Sequence, residues 1–397
     1  MAQELTPKNR LQVILVFFLV AFGRIIPSFR NLPSDPGYDF VRQVDEMGLR
    51  SLFAGPEGYL QIGPRLVALV ANVFPLQHQA VVLSICATIV FVAVALLVCE
   101  IVSSQVGSKL VGLLCGLVVL LVPAAGESTV GNHGSVKWTL VVGLCVMLSS
   151  SRYISNHPRI ALLVVLLVGL SAPLAVVVSA PLFFYAVRRF SESVQIHRVL
   201  LAVTFVLASI QFFFWQFSGN GSQIYGSTIQ YTPWPGMGAF WYSIWLTPPI
   251  IAVISLLMVL FLRRDHVSSY FQFTVWISIG TIGVYLASYI TTGIKDSTAV
   301  ATQSLAWISL LGALFAAKDI ISAAYIWKVA AVGTALFFGI SIVKWYPASS
   351  YLSGGTSWRE SIIAAKVQCE ETGIEKVVVH LFLADVELSC TKISGST

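Results

Sequence analysis

Apolar runs of about twenty residues recur along the whole chain, and this recurrence constrains the fold more than any other feature. The runs at 11–27, 78–101, 108–124, 137–150, 199–215, 239–262, 269–291, 299–317 and 321–344 each approach or exceed the length that crosses ~30 Å of hydrocarbon, the shorter ones with help from their flanks. Composition agrees: 56% of the 397 residues are hydrophobic and 11% charged, with mean hydropathy +0.82, whereas soluble domains carry about 25% charge. An ordinary soluble protein is excluded, and the expected fold class is an all-α polytopic membrane bundle. The net charge of +6 is read as an orientation signal, with no nucleic-acid partner. The first run follows Lys8 and Arg10 and lacks a convincing small-x-small cleavage site, so it is expected to be an uncleaved span.

One segment decides the topology. The stretch 160–187 is apolar but interrupted by Ser171-Ala172-Pro173, with Arg159 before it and Arg188-Arg189 after it. Proline lacks a backbone donor and disfavours helix at the preceding residue, so two short helices, 160–170 and 173–187, are expected to form a hairpin turning at the outer face. A single crossing would place Arg188-Arg189 and Arg263-Arg264 outside, against the positive-inside tendency. The split brings the total to about 11 transmembrane helices. With the N-terminus cytoplasmic, Lys8, Arg10, Lys109, Arg152, Arg159, Arg188, Arg189, Arg198, Arg263, Arg264 and Lys318 gather inside, opposed there by Glu4, Glu100, Glu192, Asp265 and Asp319.

Three larger pieces then face outward: a first loop at 28–77 with juxtamembrane helices, an aromatic loop around 217–238, and a C-terminal tail. The expected division is a transmembrane domain at 1–346 and a small extracytoplasmic α/β segment at 347–397. Cys86, Cys99, Cys115 and Cys145 fall within spans as small core residues, whereas Cys369 and Cys390 lie in the tail, where an oxidising exterior would let them pair. Val377-Val378-Val379 and Val386-Glu387-Leu388, between those cysteines, have strand-like composition.

The residues that carry chemistry cluster in the outer segments. Asp35 and Asp39 stand four residues apart just after the first span; a carboxylate partly desolvated at the membrane surface can take a proton from an acceptor hydroxyl, although Asp, Pro and Gly are also common turn residues. Further along, Glu57, Tyr59 and the sequence Gly63-Pro64-Arg65 precede a stretch, 66–74, too short to span, which reads as a helix on the outer surface. Pro64 fits its first turn, and Arg65 with the helix-start donors could hold a phosphate. Between the third and fourth spans, Glu127, Asn132, His133, Lys137 and Trp138 make a short polar loop; His133 and Lys137 would share a helix face, or Lys137 snorkels while Trp138 anchors the helix end. Arg24, near the outer end of the first span, is either a functional charge or the partner of a first-loop carboxylate. Tyr225, Tyr231, Trp234, Trp241, Tyr242 and Trp245 read as an interfacial belt or as a stacking surface for sugar rings or polyprenyl chains. Neither an HExxH nor a paired CxxC metal motif is present, nor a Gly-rich phosphate loop.

With Asp35 and Asp39, the Gly58-Tyr59-Leu60-Gln61-Ile62-Gly63-Pro64-Arg65 approach to a juxtamembrane helix, a long following span ending in Cys99-Glu100, and the polar Asn132 to Trp138 loop, the chain resembles the GT-C superfamily of polytopic glycosyltransferases, in its actinobacterial-type branch. The resemblance covers about the first 190 residues. It implies a bacterial plasma-membrane enzyme that transfers a sugar, with inversion, from a polyprenyl-phosphate donor to a cell-envelope glycan or lipid at the extracytoplasmic face. It further implies Asp35 or Asp39 as base and Arg65, His133 and Lys137 as phosphate-binding residues. The adjacent acidic pair of many members is here Asp35-Pro-Gly-Tyr-Asp39, which leaves the base open. No cofactor is fixed; a divalent cation near Asp35, Asp39 or Glu57 has no support from spacing. Two other readings stand beside this one: a lipid-linked sugar transporter or flippase using the broken helix at 171–173, and a non-catalytic envelope scaffold.

Overall fold

The computed structural model describes residues 7–30, 37–53, 60–122, 131–172, 175–180, 195–217, 238–261, 269–292, 296–316, 356–380 and 385–394. Helices dominate. In chain order they are α1 (Pro7–Ile25), α2 (Gly37–Met47), α3 (Ile62–Ala71), α4 (Gln79–Val106), α5 (Lys109–Leu121), α6 (Val136–Leu148), α7 (Ser151–Asn156), α8 (Pro158–Gly169), α9 (Gln195–Phe217), α10 (Gly238–Phe261), α11 (Ser269–Thr292), α12 (Asp296–Ala316) and α13 (Trp358–Thr372). A short antiparallel pair, β1 (Lys376–His380) and β2 (Asp385–Ser389), and a final turn of helix, α14 (Cys390–Ser394), complete the tail.

Among the described residues, the apolar runs named from sequence become helices with only small shifts of their bounds, since a helix satisfies its own backbone where side chains offer no polar partner. Among the described residues, Leu76–Val106, 31 residues, is the stretch long and apolar enough to cross a membrane by itself. Shorter apolar helices include Lys109–Leu121, His133–Leu148, Pro158–Gly169 and Gln195–Gln211. The run at 321–344 and the aromatic loop at 218–237 lie outside the described residues.

Relative directions follow from contacts at the helix ends. At one end, Arg10 of α1 meets Glu100 of α4 at 3.5 Å, Gln105 of α4 donates to Ser150 just past α6, and a ring nitrogen of His197 at the start of α9 lies 2.9 Å from the Leu148 carbonyl oxygen. At the other end, Arg24 of α1 donates to the Leu120 carbonyl at the close of α5. There too Leu60 bonds the Gln211 side chain near the end of α9 and Gly63 bonds Ser171 just past α8. Helices α8 and α9 therefore run in the same direction. Helix α8 stops at Gly169, residues 170–171 turn, and 175–180 are helical again.

Two cores form. The larger lies between α1, α4, α5, α6, α8 and their neighbours and is built almost wholly of Val, Leu, Ala, Ile and Phe. The smaller joins first-loop helices to the tail: Phe40, Val41 and Val44 of α2, Val67, Ala68 and Ala71 of α3, and Leu76, Ala80 and Leu83 pack with Trp358, Ile362, Ala365, Val377, Val379 and Leu388. In α2 these apolar positions share one face, while Arg42, Asp45 and Glu46 are exposed. Helix α13 starts at a capping box, with the Ser357 hydroxyl accepting from the Glu360 N–H and the Glu360 carboxylate accepting from the Ser357 N–H. A disulfide joins Cys369 to Cys390 with a Cα separation of 5.6 Å.

Candidate active site

The start of α3 is the joint between the bundle and a cap formed by α2, α3 and the tail. Its backbone donors can be followed one by one. Leu60 N–H donates to Gln211 Oε1 (2.9 Å), Ile62 N–H to the Leu170 carbonyl (3.3 Å), and Gly63 N–H to Ser171 Oγ (2.8 Å). Pro64 has no N–H, and Arg65 N–H donates to the Gln61 carbonyl at 3.1 Å. The phosphate cradle expected at this helix start is thus a protein–protein joint: the polar groups freed by the break after α8 take up the α3 donors. Glycine at 63 allows it, since a Cβ there would stand 3.2 Å from both Leu140 Cδ1 and Ser171 Oγ.

Arg65 is fully buried. Its guanidinium donates to the Ser51 carbonyl and to Gln43 Oε1 (2.7 Å), and lies 5.2 Å from the centre of the Phe40 ring. An always-charged fork with five donors suits this task of tying three segments at once. Phe40 also meets His133, with ring centres 5.7 Å apart in an edge-on arrangement. Phe40 is itself fully buried, so the first turn of α2, which carries Asp39, is clasped between Arg65 and His133. Lys137, buried in the first turn of α6, donates to Gln61 Oε1 at 3.1 Å and lies 5.7 Å from the Trp138 ring centre. Asn132 caps the short 3-10 turn His133–Ser135 by accepting from Gly134 N–H at 2.9 Å.

The structure therefore brings Arg65 and His133 together on Phe40 of α2 and ties Lys137 to Gln61 just ahead of α3, with Asn132 and Trp138 on the segment that carries His133 and Lys137. Arg24 stands apart: it is buried, and its guanidinium donates to the Leu120 carbonyl at 2.6 Å, closing the C-terminal end of α5, where cations are favoured. Asp39 belongs to α2 by its backbone, and nothing further is described of its side chain. Asp35, Glu57, Tyr59 and Glu127 lie outside the described residues. Cys369 and Cys390 lie far along the chain, in the tail.

Four contributors escaped the sequence reading: Phe40, Gln43, Gln61 and Gln211. Gln211 carried a usable signal, being a lone amide inside an apolar run, where a polar group needs a partner. Gln43 and Phe40 carried none, because their value comes from a partner 22 or more residues away.

No protein-family model matches the chain, and no curated protein sequence matches it. Among solved structures, the chain is similar to the oligosaccharyltransferase of Archaeoglobus fulgidus, crystallised in complex with Zn and sulfate. The TM-score is 0.53 at 13% identity, over 91% of this chain and 55% of that one. The chain thus spans about half the length of that protein. At this identity the likeness concerns the fold alone.

Proposed function

We propose that the chain is an integral-membrane inverting glycosyltransferase that moves a sugar from a polyprenyl-phosphate donor to a cell-envelope glycan or lipid on the extracytoplasmic face of a bacterial plasma membrane. The observation that carries this reading is the clasp of Phe40 between Arg65 and His133, which fixes the acidic first-loop helix against the buried Arg65 in a GT-C-like fold. The parallel directions of α8 and α9 support the hairpin, and with it about 11 spans, a cytoplasmic N-terminus and an outer tail.

In this mechanism Asp39 or Asp35 takes the proton of the acceptor hydroxyl as its oxygen attacks the anomeric carbon opposite the phosphate. The bond from that carbon to the phosphate oxygen breaks, the anomeric configuration inverts, and polyprenyl phosphate leaves with the bonding pair. Lys137 supplies positive charge behind the phosphate. Arg65 and His133, through Phe40, hold α2 at its working distance, and Arg24 fixes the end of α5. Glu57, Tyr59, Glu127, Asn132 and Trp138, from the same two connecting segments and the helix start beside them, are assigned to substrate binding. A divalent cation would draw on Asp35, Asp39 and Glu57; among the described residues no three His, Cys, Asp or Glu side chains converge, and no step is routed through a metal.

The transporter reading needs the break after α8 as a substrate site. The bonds from Ile62 and Gly63 to Leu170 and Ser171 engage that break with protein instead, which favours one-sided chemistry. The test is release of polyprenyl phosphate by purified protein in lipid, from a panel of polyprenyl-phosphate sugars with envelope acceptors. Replacing the base, Asp39→Asn or Asp35→Asn, should cost about 10²–10⁴-fold in turnover while donor binding persists. Full turnover in both variants would overturn the mechanism, and donor binding without any release by the unaltered protein would move the chain to the carrier or scaffold class.

A further inference from the structure

A concave feature lies away from the clasp on Phe40. Where the outer end of α1 meets the start of α4 and the start of α13, a cavity of about 260 Å³ is lined by Phe29, Arg30, Gln77, His78, Trp358 and Arg359 among others. Its apolar wall is Trp358, nearly fully buried, whose ring N–H donates to the Leu76 carbonyl at 2.7 Å and whose backbone N–H donates to the Arg30 carbonyl at 2.9 Å. Those two bonds fix the three walls to one another, so the cavity is built rather than a chance furrow. Its rim is basic. Arg30 and Arg359 are exposed, with His78 and Gln77 beside them, their side-chain nitrogens 3.2 Å apart. Glu360 is the acid nearby; its carboxylate accepts from Ser357 N–H in the capping box, so it is committed to the start of α13.

Location and size narrow the occupant. Exposed apolar side chains stand on the same border of α1 and α4: Ile26 (63% exposed), Val73 (84%) and Phe74 (46%). A basic cavity above an apolar flank, at the depth where two spans leave the hydrocarbon, matches a molecule with an anionic head and an acyl tail. About 260 Å³ falls below the ~300–1,000 Å³ of pockets that enclose a drug-sized ligand, so it admits a headgroup and excludes an oligosaccharide.

We propose that Arg30, Arg359 and His78 form a binding site for the phosphodiester headgroup of an anionic phospholipid, seated on Trp358 at the junction of the tail with the bundle. The proposal rests on the membrane topology given above and is independent of the transfer reaction. The test is native mass spectrometry of the full chain released from detergent with phosphatidylglycerol or phosphatidylcholine, counting retained lipid. The expected result is one phosphatidylglycerol held preferentially, with its affinity reduced on the order of thirty-fold in Arg30→Gln/Arg359→Gln, restored in the double Lys variant, and unchanged in Arg50→Gln on the exposed first loop. An unchanged thermal transition in the double Gln variant guards against misfolding. Equal retention of the two lipids, loss of the lipid in Arg50→Gln as well, or its displacement by millimolar inorganic phosphate would each overturn the site. Turnover plays no part in this readout, so failure of the transferase reading and failure of the lipid site are told apart.

Discussion

The bundle and the outer cap are held together by different physics. In the bundle, contacts are almost all apolar, and backbones approach closely where side chains are small: a Cβ added at Gly116 would stand 2.5 Å from Phe17 Cζ and 2.8 Å from the Ala95 carbonyl oxygen. Lipid is as apolar as leucine, so shape rather than hydrophobicity brings such helices together. In the cap, α2, α3 and the tail share a small core whose joints are directional: the Arg65 fork, the Trp358 N–H on Leu76, the capping box and the disulfide. Such a cap needs specified bonds, because a core this small supplies little stability unaided.

The difference can be broken or sharpened by experiment. The largest effect is expected from Arg65→Ala, which leaves the Ser51 carbonyl and Gln43 without a buried partner and removes one jaw of the clasp on Phe40. It should cost about 3–5 kcal/mol and most of the turnover, with α2 becoming protease-sensitive while the bundle keeps its helical circular dichroism. Loss of helicity throughout would show that cap and bundle are one cooperative unit. Next, replacing Cys369 and Cys390 by alanine opens a loop of 21 residues in sequence and should cost about 3 kcal/mol, read as a lowered melting transition of the cap alone.

On the other side of the comparison, Gly116→Ala should destabilise the bundle by about 1–3 kcal/mol through crowding of Phe17, leaving cap proteolysis unchanged. Combined with the cysteine pair its effect should add within about 0.5 kcal/mol; a larger coupling would join the two regions. The smallest change is expected at the cap's helix start, where Ser357→Ala should cost about 1 kcal/mol. There the Ser357 hydroxyl, then its backbone N–H, with help from the charge on Arg30, hold the Glu360 carboxyl below its ordinary value of 4.5. The folded value is the lower one, so this contribution is present above pH 4.5 and is lost as pH falls through the folded value. Acid titration of cap melting should show this loss in the unaltered chain and a shallower one in Ser357→Ala.

How much of this was legible in the sequence also divides along the same line. The bundle's helices were readable because a run such as 78–101 states its own length and period, and the break at Ser171-Ala172-Pro173 states its own chemistry. The short strands of the tail were readable for a similar reason: Val377-Val378-Val379 is β-branched throughout. The site was readable only in part. Arg65, His133, Lys137 and Asn132 could be picked out as polar groups near an interface. Their partners could not, since a guanidinium that meets Gln43, Ser51 and Phe40 leaves no local pattern. The Pro64 helix start was anticipated, but its donors proved to be spent on Leu170 and Ser171, more than 100 positions away. Ser357-x-x-Glu360 was a readable capping box that the apolar runs overshadowed.

Trp358 meets Leu76 across 282 positions of sequence. Ribosomes make the two ends of that bond at widely separated times, and the first partner waits for the second. During that interval Phe40, Val67 and Leu76 have no tail to cover them, and an emerging chain shows the exterior an apolar face destined for burial. Closure of the small core therefore waits until Trp358 and its neighbours have been made. A stop shortly ahead of Trp358 would leave the faces of Phe40, Val67 and Leu76 uncovered even with Arg65, His133 and Lys137 in place.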